Sequence, residues 1–130
     1  MSSKPLAGTV ALVTGGGKNI GRMIALYLSE IGASIAVNGL SDKAAVDSVV
    51  LEIEAFNGPG TARGYIADVT DGSATKAMVD RIAADFGRLD IVISNPAMRR
   101  QTPFPDMSFE EWGQVLNVAL NGAFHVISAA

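Results

Sequence analysis

The chain has 130 residues, of which 10 are basic and 13 acidic, so its formal net charge is −3. Its apolar content of 48% is enough for a packed core, and we expect one domain covering residues 1–130. The absence of cysteine excludes disulfides and thiolate metal sites. The sequence shows no basic cluster, no apolar run of membrane-spanning length and no signal-peptide pattern, so we expect no nucleic-acid partner, no membrane contact and a cytoplasmic location.

Four continuous apolar runs predict strands, at residues 9–13, 34–37, 63–67 and 91–94. Such runs, without polar alternation, are typical of a parallel sheet that is covered on both faces. With right-handed crossovers they predict an α/β fold with a doubly wound parallel sheet of strand order 3-2-1-4. Ligands of such sheets bind beyond the carboxyl ends of the strands, where the strand order reverses. Here that point is the end of the first strand.

Helical patterns separate these strands. Apolar side chains at intervals of three and four predict a first helix that ends at Gly32 and a third that begins after Asp71 and ends at Gly87. The second helix begins at Ser41 or Asp42, either of which is a suitable N-cap.

A C-terminal helix begins at Ser108, which forms a capping box with Glu111. Its polar residues form one narrow stripe, so we expect the helix to be buried on more than one side. His125 lies on that stripe without metal-ligand neighbours. We expect it to lie at a surface or an interface, and we expect no metal site.

The turn after the first strand is rich in glycine, with the sequence TGGGKNIG at residues 14–21. Glycine lets a ligand approach the backbone closely, and the first amides of the following helix have no intrahelical partner. Both features suit a phosphate group, although a tight turn without a ligand is the alternative. A nucleotide triphosphatase P-loop is not indicated, because Gly21 is followed by Arg22 and Met23 rather than by Lys and a hydroxyl residue.

This turn resembles the T-G-x-x-x-[AG]-x-G segment of the short-chain dehydrogenases/reductases. Three later segments are similar to motifs of the same family, in the same order: ADVTD at residues 67–71, DIVISNPA at residues 90–97, and FEEWGQVLNVALNGAFHV at residues 109–126, which matches the family's fifth helix. The resemblance spans nearly the whole chain and is closest to the branch of 3-oxoacyl-carrier-protein reductases. It implies the amino-terminal, cofactor-binding half of a Rossmann fold that ends before strands five to seven.

The resemblance also implies roles for individual residues in binding a dinucleotide. The pyrophosphate turn would be shaped by Gly15, Gly17, Asn19, Ile20 and Gly21. Adenine would be held by Asp68 and Val69, the ribose and nicotinamide would be bordered by Asn95, Pro96 and Ala97, and the adenosine would be flanked by Val118. The alternatives are that Asp68 only caps the end of a strand and that Gly21 only permits close packing of helix and sheet.

The sequence departs from the family at several of these positions. Asn19 replaces a glycine, but asparagine tolerates a positive φ better than most residues. Pro96 removes a backbone donor beside the expected nicotinamide position. Ala119 stands where the family has a catalytic asparagine. Asn117 and Asn121 lie two residues away, and at about 100° per residue each would point roughly 200° from Ala119 on a regular helix.

The catalytic Ser and the Tyr-x-x-x-Lys pair of the family are not found in this sequence. Four residues after Tyr27 is Ile31, and four residues after Tyr65 is Val69. The resemblance implies that the full-length protein transfers hydride between a nicotinamide and a carbonyl or alcohol substrate. Because these catalytic residues are absent from the sequence, we expect this chain alone to be inactive. The alternatives are a non-catalytic dinucleotide-binding or interaction module and a methyltransferase on a similar sheet.

We expect NADP to be preferred over NAD. An NAD-binding sheet has an acidic residue at the end of the second strand, and this chain has Asn38 and then Gly39 there. Lys18 in the glycine turn would contact the 2′-phosphate, with Asn38 and Ser41 as neutral donors. The alternatives are that Lys18 is only a solvated turn residue and that Asp42 faces the ribose rather than capping a helix.

The resemblance also implies a homo-oligomer, because the fifth helix of the family forms a subunit interface. In this sequence that helix is apolar on two sides, and the fourth strand would be an open sheet edge, which favours association.

Overall fold

Four parallel strands form one sheet with the order β3-β2-β1-β4, which confirms the predicted topology. The computed structural model describes residues 4–56, 58–95 and 101–130. The strands are β1 (Val10–Val13), β2 (Ser34–Gly39), β3 (Ala62–Ile66) and β4 (Ile91–Ile93). The helices are α1 (Asn19–Glu30), α2 (Lys43–Ala55), α3 (Gly72–Phe86), α4 (Phe109–Leu116) and α5 (Gly122–Ala129); a 3-10 turn (Phe104–Asp106) precedes α4, and a π-helical turn (Asn117–Asn121) joins α4 to α5.

The carboxyl ends of the central strands are level with one another. Val13 of β1 pairs with Val37 of β2 on one side and with Ile93 of β4 on the other. The residues that follow these strands therefore meet at one edge of the sheet, as the strand order requires. β2 extends two residues beyond its predicted end, because Asn38 pairs with Tyr65 of β3.

Strand β1 is buried on both faces. Ala11 and Val13 pack in the core on the face covered by α1 and α2. Val10 and Leu12 pack in the core on the other face, which is covered by α3 and α5. Full burial of a side chain such as that of Leu12 contributes about 1.5–3 kcal/mol. The continuous apolar run of β1 thus reflects its position in the middle of the sheet.

The helix ends follow the predicted capping residues. Asp42 is the N-cap of α2 and accepts a hydrogen bond from the backbone amide of Ala45 at 3.0 Å, which decides between the two candidates Ser41 and Asp42. Asp71 caps α3, and Ser108 caps α4 by accepting from the amide of Glu111 at 3.0 Å. Gly87 ends α3 at φ +83°, a left-handed conformation that suits glycine.

The C-terminal helix differs from the prediction in two ways. It is interrupted at Asn117–Asn121, where the amide of Gly122 donates to the carbonyl of Asn117, five residues earlier. It is also not buried on more than one side within this chain: α5 packs on α3 through Val126, whereas Phe109 and Phe124 are 83% and 66% exposed. A narrow polar stripe therefore did not imply two buried faces.

His125 has one neighbour that its sequence position did not indicate. It is half-buried, and its Nδ1 atom lies 3.0 Å from the position that a Cβ atom on Gly72 would occupy at the start of α3. It therefore lies at a contact between two helices of the same chain. In the part of the chain that the structure describes, no helix combines the length and apolar character needed to cross a membrane.

Candidate functional site

The glycine-rich turn between β1 and α1 adopts a conformation that depends on its residue types. Gly15 has φ +59° and Asn19 has φ +51°. The expectation that asparagine accommodates a positive φ at this position is confirmed. Asn19 is the one non-glycine residue with a positive φ within the described ranges.

The turn is folded tightly against the sheet. The amide of Gly16 donates to the carbonyl of Asn38 at 2.9 Å. A Cβ atom on Gly21 would overlap the carbonyl oxygen of Gly15 and lie 2.7 Å from Nδ2 of Asn95. Gly21 therefore does permit close packing of helix and sheet, as the alternative proposed. This role is compatible with a ligand, because the close approach of Gly21 to Gly15 shapes the turn.

Helix α1 begins without the side-chain cap that α2, α3 and α4 possess. Its N-cap is Lys18, in an extended conformation with φ −148° and without a capping hydrogen bond from its side chain. The helical ladder starts with the amide of Arg22, which donates to the carbonyl of Lys18 at 3.1 Å. The amides at the start of an α-helix have no intrahelical partner and lie at the positive end of the helix dipole. Amides in this arrangement suit an anionic group.

Thr14 and Asn95 connect this turn to the end of β4. The Thr14 hydroxyl is fully buried, accepts from the amide of Asn95 at 2.9 Å and donates to the carbonyl of Ile93 at 3.3 Å. The Asn95 side chain donates to the carbonyl of Gly15 at 3.3 Å. Thr14 was missing from the predicted site residues, although it is the first residue of the family segment that the turn resembles.

A cavity of about 340 Å³ lies between the glycine turn and the start of α2. Its wall includes Gly15, Gly17, Lys18 and the segment 39–42. The ammonium group of Lys18 forms an ion pair with Oδ2 of Asp42 at 2.7 Å. This contact, together with the hydrogen bond from Ala45, holds the pKa of Asp42 below its ordinary value. Ser41 is exposed beside the cavity, as is Leu40.

Asn38 has a different role from the one that its sequence position indicated. Its side chain is 2% exposed, and Nδ2 lies 3.2 Å from the carbonyl oxygens of both Tyr65 and Ala67. This amide thus joins β2 to β3 and to the residue that follows it. The expectation that Asn38 is a neutral donor to a cofactor phosphate does not fit this geometry.

Asp68 and Val69 follow β3 at the same edge of the sheet. The Asp68 carboxylate accepts from the hydroxyl of Thr70 at 2.7 Å and from its amide at 2.9 Å, and these bonds lower the pKa of Asp68. Asp68 is exposed, while Val69 is buried against Gly122 of α5. The alternative that Asp68 only caps the end of a strand is thus compatible with these hydrogen bonds.

The π-helical turn lies at the position where the family has a catalytic asparagine. Nδ2 of Asn121 donates to Oδ1 of Asn117 at 2.8 Å, and Ala119 is exposed between them. The expected separation of roughly 200° assumed a regular α-helix, and the π turn changes that spacing. Val118 is half-buried in this turn. Pro96 and Ala97 lie outside the described residues.

A metal site requires several side chains that could bind a metal ion together. Within residues 4–56, 58–95 and 101–130, no three His, Asp or Glu side chains gather in a way that would hold a metal ion. The site includes a shaped backbone turn, a helix start without a side-chain cap, and the ion pair between Lys18 and Asp42.

Comparisons with known proteins agree with the fold. The model of the family described as short chain dehydrogenase matches residues 9–130. The chain is 38% identical over 120 residues to the 3-oxoacyl-(acyl-carrier-protein) reductase FabG of Staphylococcus aureus, covering 92% of this chain and 48% of that protein. It thus spans about half the length of the curated relatives it matches.

Two solved structures show the same fold. A short chain dehydrogenase from Burkholderia cenocepacia, in complex with NADP, has a TM-score of 0.89 and 34% identity, covering 96% of this chain and 50% of that chain. An NAD+-bound xylitol dehydrogenase has a TM-score of 0.90 and 34% identity, covering 97% of this chain and 48% of that chain. From the family match, the fold and these relatives together, the chain belongs to the short-chain dehydrogenase/reductase family.

Proposed function

We propose that the protein is an NAD(P)(H)-dependent oxidoreductase and that residues 1–130 provide its dinucleotide-binding half. The observation that carries this proposal is the glycine turn of residues 14–21, which leads into a helix whose first amides have no side-chain cap. The turn lies where the strand order reverses, between β2 and β4. Two family members of the same fold are described with NADP and with NAD+.

The residues would fit a dinucleotide in four places. The backbone of the glycine turn and the start of α1 would hold the pyrophosphate. The cavity beside Lys18 and Ser41 would take the adenosine ribose, with Lys18 as the contact for a 2′-phosphate and NADP as the preferred cofactor. Asp68 and Val69 would border the adenine. Asn95, whose side chain holds the turn at Gly15, would lie beside the nicotinamide ribose.

A bound nicotinamide supplies hydride chemistry, and the residues of this chain would hold and orient it. The relatives of this chain include reductases and dehydrogenases, so we propose a carbonyl or alcohol as the substrate class. The sequence of residues 1–130 has no Tyr-x-x-x-Lys pair that would donate and accept the proton. We therefore propose that this segment binds the cofactor but does not reduce a carbonyl compound by itself.

The exposed apolar face of the C-terminal helix supports a homo-oligomer. Large side chains along it are solvent-exposed: Phe109, Trp112, Leu116, Leu120, Phe124 and Ile127. Apolar patches of this extent mark protein–protein contacts more often than a free surface. We propose that this face joins two copies of the protein.

Calorimetric titration of the purified protein with NADP and with NAD tests the binding proposal. We expect saturable binding of one dinucleotide per chain, and we expect Gly21→Ala to abolish it because the added Cβ overlaps the carbonyl of Gly15. Gly113→Ala is the matched control, because a Cβ there meets no atom within 4 Å. Absence of binding by a folded wild-type protein would contradict the proposal. Turnover of a carbonyl substrate by residues 1–130 would contradict the assignment of no catalytic role.

A further inference from the structure

The ion pair between Lys18 and Asp42 joins two segments across one cavity. Lys18 comes from the glycine turn and Asp42 from the start of α2, and both line the cavity of about 340 Å³. An acidic residue directly at the end of the second strand is the usual selector of the ribose hydroxyl. In this chain the second strand ends with Asn38 and Gly39, neither of which is acidic, and the amide of Asn38 is buried in hydrogen bonds to the β3 segment.

Asp42 is held more firmly than Lys18. Its Oδ1 atom accepts from the amide of Ala45 as the helix cap, and its Oδ2 atom pairs with the lysine. Lys18 has a long flexible stem, and its side chain is 64% exposed. The carboxylate therefore stays beside the cavity, while the ammonium group is free to exchange partners at little cost, because exposed ion pairs are weak.

The other charges near Asp42 do not replace this pairing. Lys43, the next residue, forms its own ion pair with Asp47 at 2.7 Å along α2. The contacts with Lys18 and Ala45 hold the pKa of Asp42 below its ordinary value, so its carboxylate is charged at neutral pH. A phosphate monoester carries about −1.5 to −2 charges at that pH. It would be attracted by Lys18 and repelled by Asp42.

We propose that Asp42 is a specificity-determining residue that restrains the binding of NADP by holding Lys18 and repelling the 2′-phosphate. This inference rests on the proposed function, which places the adenosine ribose in this cavity. The 2′-hydroxyl of NAD carries no charge and can donate to a carboxylate. Asp42 therefore lowers the selectivity for NADP that Lys18 alone would create.

The test compares the affinities of NADP and NAD by calorimetry for wild type, Asp42→Asn and Asp80→Asn. Asparagine is as good an N-cap as aspartate, so Asp42→Asn keeps α2 intact while removing the charge. Asp80 is the matched control, because it also pairs with a lysine, Lys76 at 2.9 Å, but on α3 at the other face of the sheet. Thermal unfolding confirms that each variant is folded.

We expect Asp42→Asn to tighten NADP binding by about three- to tenfold, a range set by Coulomb repulsion screened by water and salt. NAD binding should change by less than about twofold, and Asp80→Asn should change neither. Lys18→Ala in the Asp42→Asn background should remove the gain for NADP. An unchanged ratio of the two affinities in Asp42→Asn, or the same gain in Asp80→Asn, would overturn the role of Asp42 while leaving dinucleotide binding in place. Absence of binding by all folded variants would instead contradict the proposed function, and this inference with it.

Discussion

The buried hydroxyl of Thr14 accepts a hydrogen bond from the backbone amide of Asn95 at 2.9 Å, joining the residues that follow two neighbouring strands. It also donates to the carbonyl of Ile93. The glycine turn begins directly after Thr14, so this contact sets the position of the turn relative to the end of β4. The site is thus built on the sheet edge and not on a free loop.

Thr14→Val should destabilise the protein by about 1–3 kcal/mol, because valine has a similar shape but leaves buried polar groups without a partner. We also expect weaker dinucleotide binding, since the turn loses its anchor at Asn95. Urea denaturation followed by circular dichroism measures the first effect. Thr61→Val, at an exposed position before β3, is the control and should stay within about 0.5 kcal/mol of wild type. Equal losses for the two variants would contradict the anchoring role.

Lys18→Ala should weaken NADP binding about tenfold and leave NAD nearly unchanged. A charge-assisted contact is worth roughly 1.5–3 kcal/mol, and the exposure of Lys18 argues for the lower end of that range. The existing pair with Asp42 also favours the lower end, because the lysine must leave one partner for another. Calorimetry with both nucleotides measures the difference. An equal loss of affinity for NADP and NAD would remove Lys18 from the 2′-phosphate site.

Asp90 should make the stability of the protein sensitive to acid. Its carboxylate accepts from Arg88 and from the backbone amide of Val10 at 2.9 Å, and these contacts lower its pKa. Because the folded pKa lies below the unfolded value of about 3.9, the contribution of Asp90 is complete above that value. It is then lost as the pH falls through the folded pKa. Urea denaturation between neutral pH and pH 3 should show a smaller acid-induced loss in Asp90→Asn than in wild type. Identical pH profiles would contradict this contribution.

Replacing two apolar residues of α5 should prevent association. Phe124 and Ile127 are 66% and 64% exposed, so Phe124→Glu with Ile127→Glu should leave the fold intact while adding charge to the proposed interface. Sedimentation velocity of the wild type should show a species larger than a monomer, and the double variant should sediment as a monomer. Leu51→Glu, at an exposed position on α2, is the control and should leave association unchanged. A wild-type protein that stays monomeric at every concentration would refute the oligomer proposal.

The topology could be predicted from the sequence because it depends on local patterns. Apolar runs, Asp42 and Asp71 as caps, and Gly87 at a helix end each act over a few residues, and together they determine the order of elements. The positive φ of Asn19 followed from its residue type in the same way.

Features that depend on residues distant in the sequence could not be predicted from local patterns. The Asn38 amide is buried because Tyr65 and Ala67 lie beside it, which only the folded sheet shows. The pairing of Lys18 with Asp42 brings together residues of separate elements. The π turn at residues 117–121 has no local signal, since its sequence is compatible with an ordinary α-helix.

The central claim, that the glycine turn and the start of α1 bind the pyrophosphate of a nicotinamide dinucleotide, is tested most directly by amide chemical-shift mapping. Adding NADP to isotopically labelled protein should shift the amide resonances of residues 15–21 most strongly, with smaller shifts at Ser41, Asp68 and Val69. Inorganic pyrophosphate alone should shift the resonances of residues 15–21 but not that of Val69. Shifts concentrated instead at the apolar hollow lined by Phe104, Phe109 and Trp112, with residues 15–21 unmoved, would contradict the account.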